Sequence, residues 1–186
     1  MENDRQTVRI ILNEKLTSLY AEDFTRILND YLQTMEIGTV RKANSVSVPD
    51  GCEPSVCDVE FEITRDKIPD ADIVLKRTSE ILDNINVGAG TVIEYCGKKL
   101  TTGTLESLTV DISGCTDASE NTDINSITED LVHSLNGIGE PMSCFSENGV
   151  TKLYFYGSSK QSMHDAAKLF AERISPQNPE IAITFE

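Results

Sequence analysis

The segment Met142 to Tyr156 constrains the fold of this chain more than any other. Two apolar-rich runs, Met142 to Ser146 and Thr151 to Tyr156, flank Glu147, Asn148, Gly149 and Val150. Asn-Gly accepts the positive backbone angles of a type I′ turn, whose twist matches that of paired strands, so the segment predicts a β-hairpin. The second half must therefore contain an antiparallel sheet, and its other elements must pair with that sheet or pack on it.

Upstream of the hairpin, Leu108, Val110 and Ile112 alternate as a strand, and a polar loop runs from Ser113 to Thr122. A helix over about Asp123 to Asn136 shows the stripe Ile124, Ile127, Leu131, Val132 and Leu135, with Ser126 and Glu129 spaced as a capping box. Gly137 and Gly139 end it. Ser158 and Gln161 have the same spacing before the last helix, where Met163, Ala166, Ala167, Phe170 and Ile174 face inward. Pro176 helps to stop that helix, and Ile181, Ile183 and Phe185 form the closing strand.

The first half repeats this order. Thr7 to Leu12 reads as a strand, and Phe24, Ile27, Leu28, Tyr31, Leu32 and Met35 line one face of a helix from Ala21 to Glu36 that Gly38 stops. Val40 to Val48 is strand-like, and Val59, Phe61 and Ile63 alternate with Asp58, Glu60 and Glu62, giving one buried and one acidic face. Pro69 suits the first turn of a second helix, whose stripe is Ile73, Val74, Ile81, Leu82 and Ile85, with Gly88 at its left-handed end. A strand follows from Thr91 to Cys96, and polar residues Gly97 to Thr104 read as a connector.

The order strand, helix, strand, strand, helix, strand thus occurs twice, and it resembles the ferredoxin-like superfold over nearly the whole chain. The fold class expected is α+β, with two tandem ferredoxin-like (β-α-β-β-α-β) units, antiparallel sheets and helices packed on one face. The units span 1–100 and 101–186, and no residue identity links them. A length of 186 residues, with 39% hydrophobic and 25% charged residues, suits such a packed protein. The superfold hosts many unrelated activities, so function must be argued from particular residues.

Charge distinguishes the halves. The chain carries a formal net charge of −15, from 31 acidic and 16 basic residues. Its first 100 residues carry −6 and the remaining 86 carry −9, with only four of the basic residues in the latter part. Between Leu100 and Thr151 there is no Lys or Arg, whereas Glu106, Asp111, Asp117, Glu120, Asp123, Glu129, Asp130, Glu140 and Glu147 all fall there. Such a field steers encounter with a basic partner as well as keeping the protein dissolved. It disfavours nucleic acid, whose phosphates require a Lys/Arg groove.

No constellation for catalysis emerges. His133 and His164 lie within helical patterns and outside any catalytic motif. The five cysteines, Cys52, Cys57, Cys96, Cys115 and Cys144, are odd in number and scattered, as for reduced thiols. Cys52 and Cys57 have no second ligand pair to complete a zinc site. Gly88-Ala89-Gly90 follows a helix and precedes a strand, the reverse of a phosphate-binding loop. No metal, cofactor or catalytic residue is expected, and the acylphosphatase chemistry found on this superfold would need an arginine-bearing loop that Asn13 to Thr17 do not provide.

These readings point to a non-catalytic protein-binding module in the cytoplasm, with neither a signal-peptide pattern at Met1 to Gln6 nor an apolar run of the roughly 20 residues that cross a membrane. The concrete expectation is an acidic immunity or inhibitor protein that occludes a basic protein, such as a nuclease toxin. Asp117, Glu120, Asp123, Glu129 and Asp130 would supply the charge, and Tyr154 and Tyr156 the anchors. The alternatives are a soluble interaction protein of another pathway and a sensor of small molecules. For the sensor, Asp111, Gly114 and Asp117 resemble the acidic and glycine residues of amino-acid-binding ACT domains, although the loop is longer and its spacing differs.

Overall fold

The computed structural model describes residues 7–44, 56–63, 70–114 and 124–186. Over these residues the chain is an α+β protein with four helices and two antiparallel sheets, of five and four strands. Its contacts divide it into two units that meet in sequence between Leu105 and Glu106.

The first unit runs β1 (Thr7–Lys15), α1 (Ser18–Thr34), β2 (Gly38–Asn44), β3 (Val56–Ile63), α2 (Ala71–Ile85), β4 (Thr91–Tyr95) and β5 (Lys98–Thr102), with the strand order β2-β3-β1-β4-β5. Alternation in β1 buries Val8, Ile10 and Leu12, while Val59, Phe61 and Ile63 on β3 and Ile93 on β4 do the same. Leu28 and Leu32 of α1 and Ile81 and Leu82 of α2 complete this core, and α1 and α2 also pack against each other. Each fully buried aliphatic side chain contributes on the order of 2 kcal/mol. The alternate positions carry charge: Arg9 bridges Asp58 and Glu94, Arg41 meets Glu62 at 2.6 Å, and Lys99 meets Glu94 at 2.5 Å.

The second unit runs β6 (Glu106–Ser113), α3 (Ile124–Ser134), β7 (Glu140–Glu147), β8 (Val150–Gly157), α4 (Lys160–Ile174) and β9 (Ala182–Phe185), with the strand order β7-β8-β6-β9. Leu108, Val110 and Ile112 of β6 and Leu153 and Phe155 of β8 share one core with Ile127, Leu131 and Leu135 of α3 and with Met163, Ala167 and Phe170 of α4. Both helices therefore cover the same sheet face. The hairpin closes as its turn residues dictate: Glu147 pairs with Val150, and Asn148 and Gly149 take φ of 53° and 77°.

Several boundaries differ from the sequence reading. The polar stretch Gly97 to Thr104, read as a connector, holds the edge strand β5, of which the alternation gave no sign because only Leu100 is apolar. Gly38 does not stop α1. The left-handed residue there is Glu36, and Gly38 opens β2, where a side chain would collide with the carbonyl of Glu62. Asn86, at φ 61°, takes the left-handed position after α2 that was assigned to Gly88. Ser126 falls inside α3 and caps nothing, since the helix begins two residues earlier, at Ile124. Ser159, not Ser158, caps α4, its hydroxyl accepting the Ser162 N–H at 3.2 Å. Pro69 lies outside the described residues, among which no helix is long and apolar enough to cross a membrane.

Candidate functional site

Of the residues expected to bind a partner, Asp117, Glu120 and Asp123 lie outside the described residues. Glu129 and Asp130 stand on α3, whose helical period turns Ile127, Leu131 and Leu135 into the core and leaves Asn125, Ser126, Glu129, Asp130 and His133 exposed. Neither Glu129 nor Asp130 forms an ion pair among the described residues.

The two units handle their carboxylates differently. In the first, Asp23, Asp58, Glu62, Asp72, Glu80 and Glu94 all lie within ion-pair distance of an Arg or Lys. In the second, Lys152 reaches Asp111 at 3.7 Å, and the His164 ring lies 3.6 Å from Asp165. Glu106 is occupied structurally, accepting the Lys160 N–H at 2.5 Å at the start of α4. Exposed carboxylates at 129, 130, 140, 147 and 172 carry no ion pair among the described residues.

Tyr154 and Tyr156 correct the expectation placed on them. Both are buried, with 6% and 4% exposure, so neither is available as an anchor. Leu153 and Phe155 join the helix-side core, and the opposite face of β8 is buried too, with Ser143 and Phe145 of β7 alongside the tyrosines. A run such as Leu-Tyr-Phe-Tyr is the mark of a strand buried on both faces. Among the described residues the exposed large apolar side chains of the second unit are instead Ile138, just after α3, and Leu169 on α4, at 37% and 68%.

One polar cluster in the first unit was not anticipated. Glu14 continues the buried parity of Val8, Ile10 and Leu12 and is only 5% exposed. That parity was the available signal, had the strand been extended beyond Leu12. Its carboxylate accepts the Gly88 N–H at 2.9 Å, and burial, opposed by this hydrogen bond, pushes its pKa up to about 7. Thr91 Oγ1 donates to the Gly88 carbonyl at 2.7 Å and accepts the Asn13 N–H at 3.3 Å, while Asn13 Nδ2 donates to the Ala89 carbonyl at 2.7 Å. Gly88 is required by this packing, because a Cβ would meet Glu14 Cγ at 2.8 Å and the Asn13 carbonyl oxygen at 2.9 Å.

Cys57, on β3, is also buried, and burial together with the charges of Asp58 and Glu14 pushes its thiol up to about 11. A thiol so disfavoured as thiolate is a poor nucleophile at neutral pH. His164 packs edge-on against Phe185 at 5.2 Å between ring centres. Among the described residues no group of three or more His, Cys, Asp or Glu is placed to hold a metal ion.

No protein-family model matches the chain. No curated protein matches it. Among solved structures it is similar, over 88% of its length, to a chain in the crystal structure of a complex of TiaS with an isoleucine tRNA, AMPCPP and agmatine, at 8% identity and a TM-score of 0.23. This chain spans 56% of that one, and so slight a likeness carries no argument about fold or activity.

Proposed function

We propose that this chain is a non-catalytic protein-binding module whose second unit offers an acidic surface to a basic protein. The observation that carries the reading is a contrast in charge pairing among the described residues: six carboxylates of the first unit, though not Glu22 or Asp30, are matched by Arg or Lys, whereas in the second Asp111 meets Lys152 and Glu129 and Asp130 stand exposed and unmatched. Carboxylates left without internal partners keep their field for an external one and raise its rate of encounter.

The mechanism is occlusion. A cationic protein, of which a nuclease toxin with a phosphate-attracting active site is the concrete example, is met by the outer faces of α3 and the segments beside it. Ile138 and Leu169, in place of the buried tyrosines, supply apolar contact. The scaffold is read as two ferredoxin-like units in tandem, a reading supported by the matching order of β2-β3-β1-β4 and β7-β8-β6-β9, with β5 added at one edge. The proposed compartment is the cytoplasm.

The test is capture of interacting proteins from the native host, followed by titration of the partner at several ionic strengths. A basic partner whose affinity falls at least about tenfold between low and high salt fits the reading. A partner of acidic character, or binding indifferent to salt, defeats it.

A further inference from the structure

We propose that Glu14 is a protonation-controlled latch on the segment that carries the chain from the first unit into the second. Such a latch is independent of the binding role of the acidic surface.

The latch is a chain of contacts. Glu14 holds Gly88 through its amide, and Asn13 holds Ala89 through its carbonyl. That loop in turn holds residues 103–105: the Ala89 N–H donates to the Leu105 carbonyl at 2.7 Å, and the Thr104 and Leu105 N–H groups donate to the Val87 carbonyl at 2.9 and 3.1 Å. Gly103, at φ 102°, lies so close to the Gly88 carbonyl that a Cβ there would collide with it. Glu106, the next residue after this segment, opens β6. A side chain at the end of β1 is thereby coupled, through one loop, to the crossing between units.

Charge on Glu14 acts against this arrangement. From β3 the titratable group facing it is Cys57, which is neutral at physiological pH; the α2–β4 loop presents the Gly88 N–H, with the Thr91 hydroxyl turned to the Gly88 carbonyl. Lys15 has the opposite parity on β1, Leu16 beside it is buried and apolar, and Asp58 is bound to Arg9. Among the described residues no cation faces the carboxylate. A neutral carboxyl is accommodated there, whereas an ionised one has a single N–H to replace its hydration and draws water into the loop.

Amide hydrogen exchange across pH, corrected for intrinsic rates, tests the latch alongside the 13C shift of the Glu14 carboxyl. Between pH of about 6 and about 8.5, opening at Ala89, Thr104 and Leu105 should rise at least about tenfold, with the midpoint of the carboxyl titration, while Leu153 in the core of the second unit changes less than about twofold. In Glu14→Gln the rise should vanish. Equal midpoints in the wild-type protein support the latch even if that variant does not fold. Unequal midpoints, exchange flat with pH, or a rise shared equally by Leu153 would overturn it.

Discussion

At position 14 a carboxyl group occupies a place that the alternation of β1 reserves for an apolar side chain, and its environment sets its proton affinity. Its pKa of about 7, against 4.5 unperturbed, means that the folded chain binds more protons than the unfolded chain between those values. The stability tied to Glu14 is therefore full below about pH 4.5 and is lost as pH rises through about 7, by about 3 kcal/mol at most. Glu14→Gln keeps an acceptor for the Gly88 N–H and removes the charge. Urea unfolding should find it more stable than the parent at about pH 8 and indistinguishable or weaker at about pH 5. A parent-minus-variant difference that does not change with pH refutes this. At Gly103 both a positive φ and the Gly88 carbonyl exclude a side chain, so Gly103→Ala should cost about 2–3 kcal/mol, read as a lower thermal midpoint.

Elements were legible where local chemistry and packing agree, as in the hairpin, whose turn demands positive φ at both central residues and finds Asn148 and Gly149 there. Gly149→Ala should destabilise the protein by about 1 kcal/mol or more, measured by chemical denaturation. Caps were less legible, because several hydroxyls compete within a few residues of a helix start. Ser158 and Ser159 are adjacent, and only the geometry of α4 selects the second. Ser159→Ala should cost about 1 kcal/mol by the same measurement, and Ser158→Ala close to nothing. Strand β5 was hidden for a different reason. An edge strand with lysines at 98 and 99 needs no apolar alternation, since it is held by hydrogen bonds to β4, by Leu100 and by side-chain ties of Thr102 to Ser79 and Asp83 and of Lys98 to Asp72, and its charges discourage pairing with other chains. The site was legible in charge and not in anchors: exposure of Glu129 and Asp130 follows from the period of α3, but burial of Tyr154 and Tyr156 depends on what covers the second face of β8.

For the molecule as a whole, a net charge of −15 is distributed so that the first unit neutralises much of its own charge internally and the second does not. Total charge and local placement make separable predictions about binding, because two sets of reversals can change the total equally. Glu129→Lys with Asp130→Lys alters the exposed face of α3, and Glu22→Lys with Asp30→Lys alters exposed positions of α1 that carry no ion pair among the described residues. The decisive measurement is the affinity of the captured basic partner for these two double variants at low ionic strength. The α3 pair should lose at least about tenfold in affinity and the α1 pair less than about twofold. Equal losses for both, or none for the α3 pair, would contradict a binding face on α3.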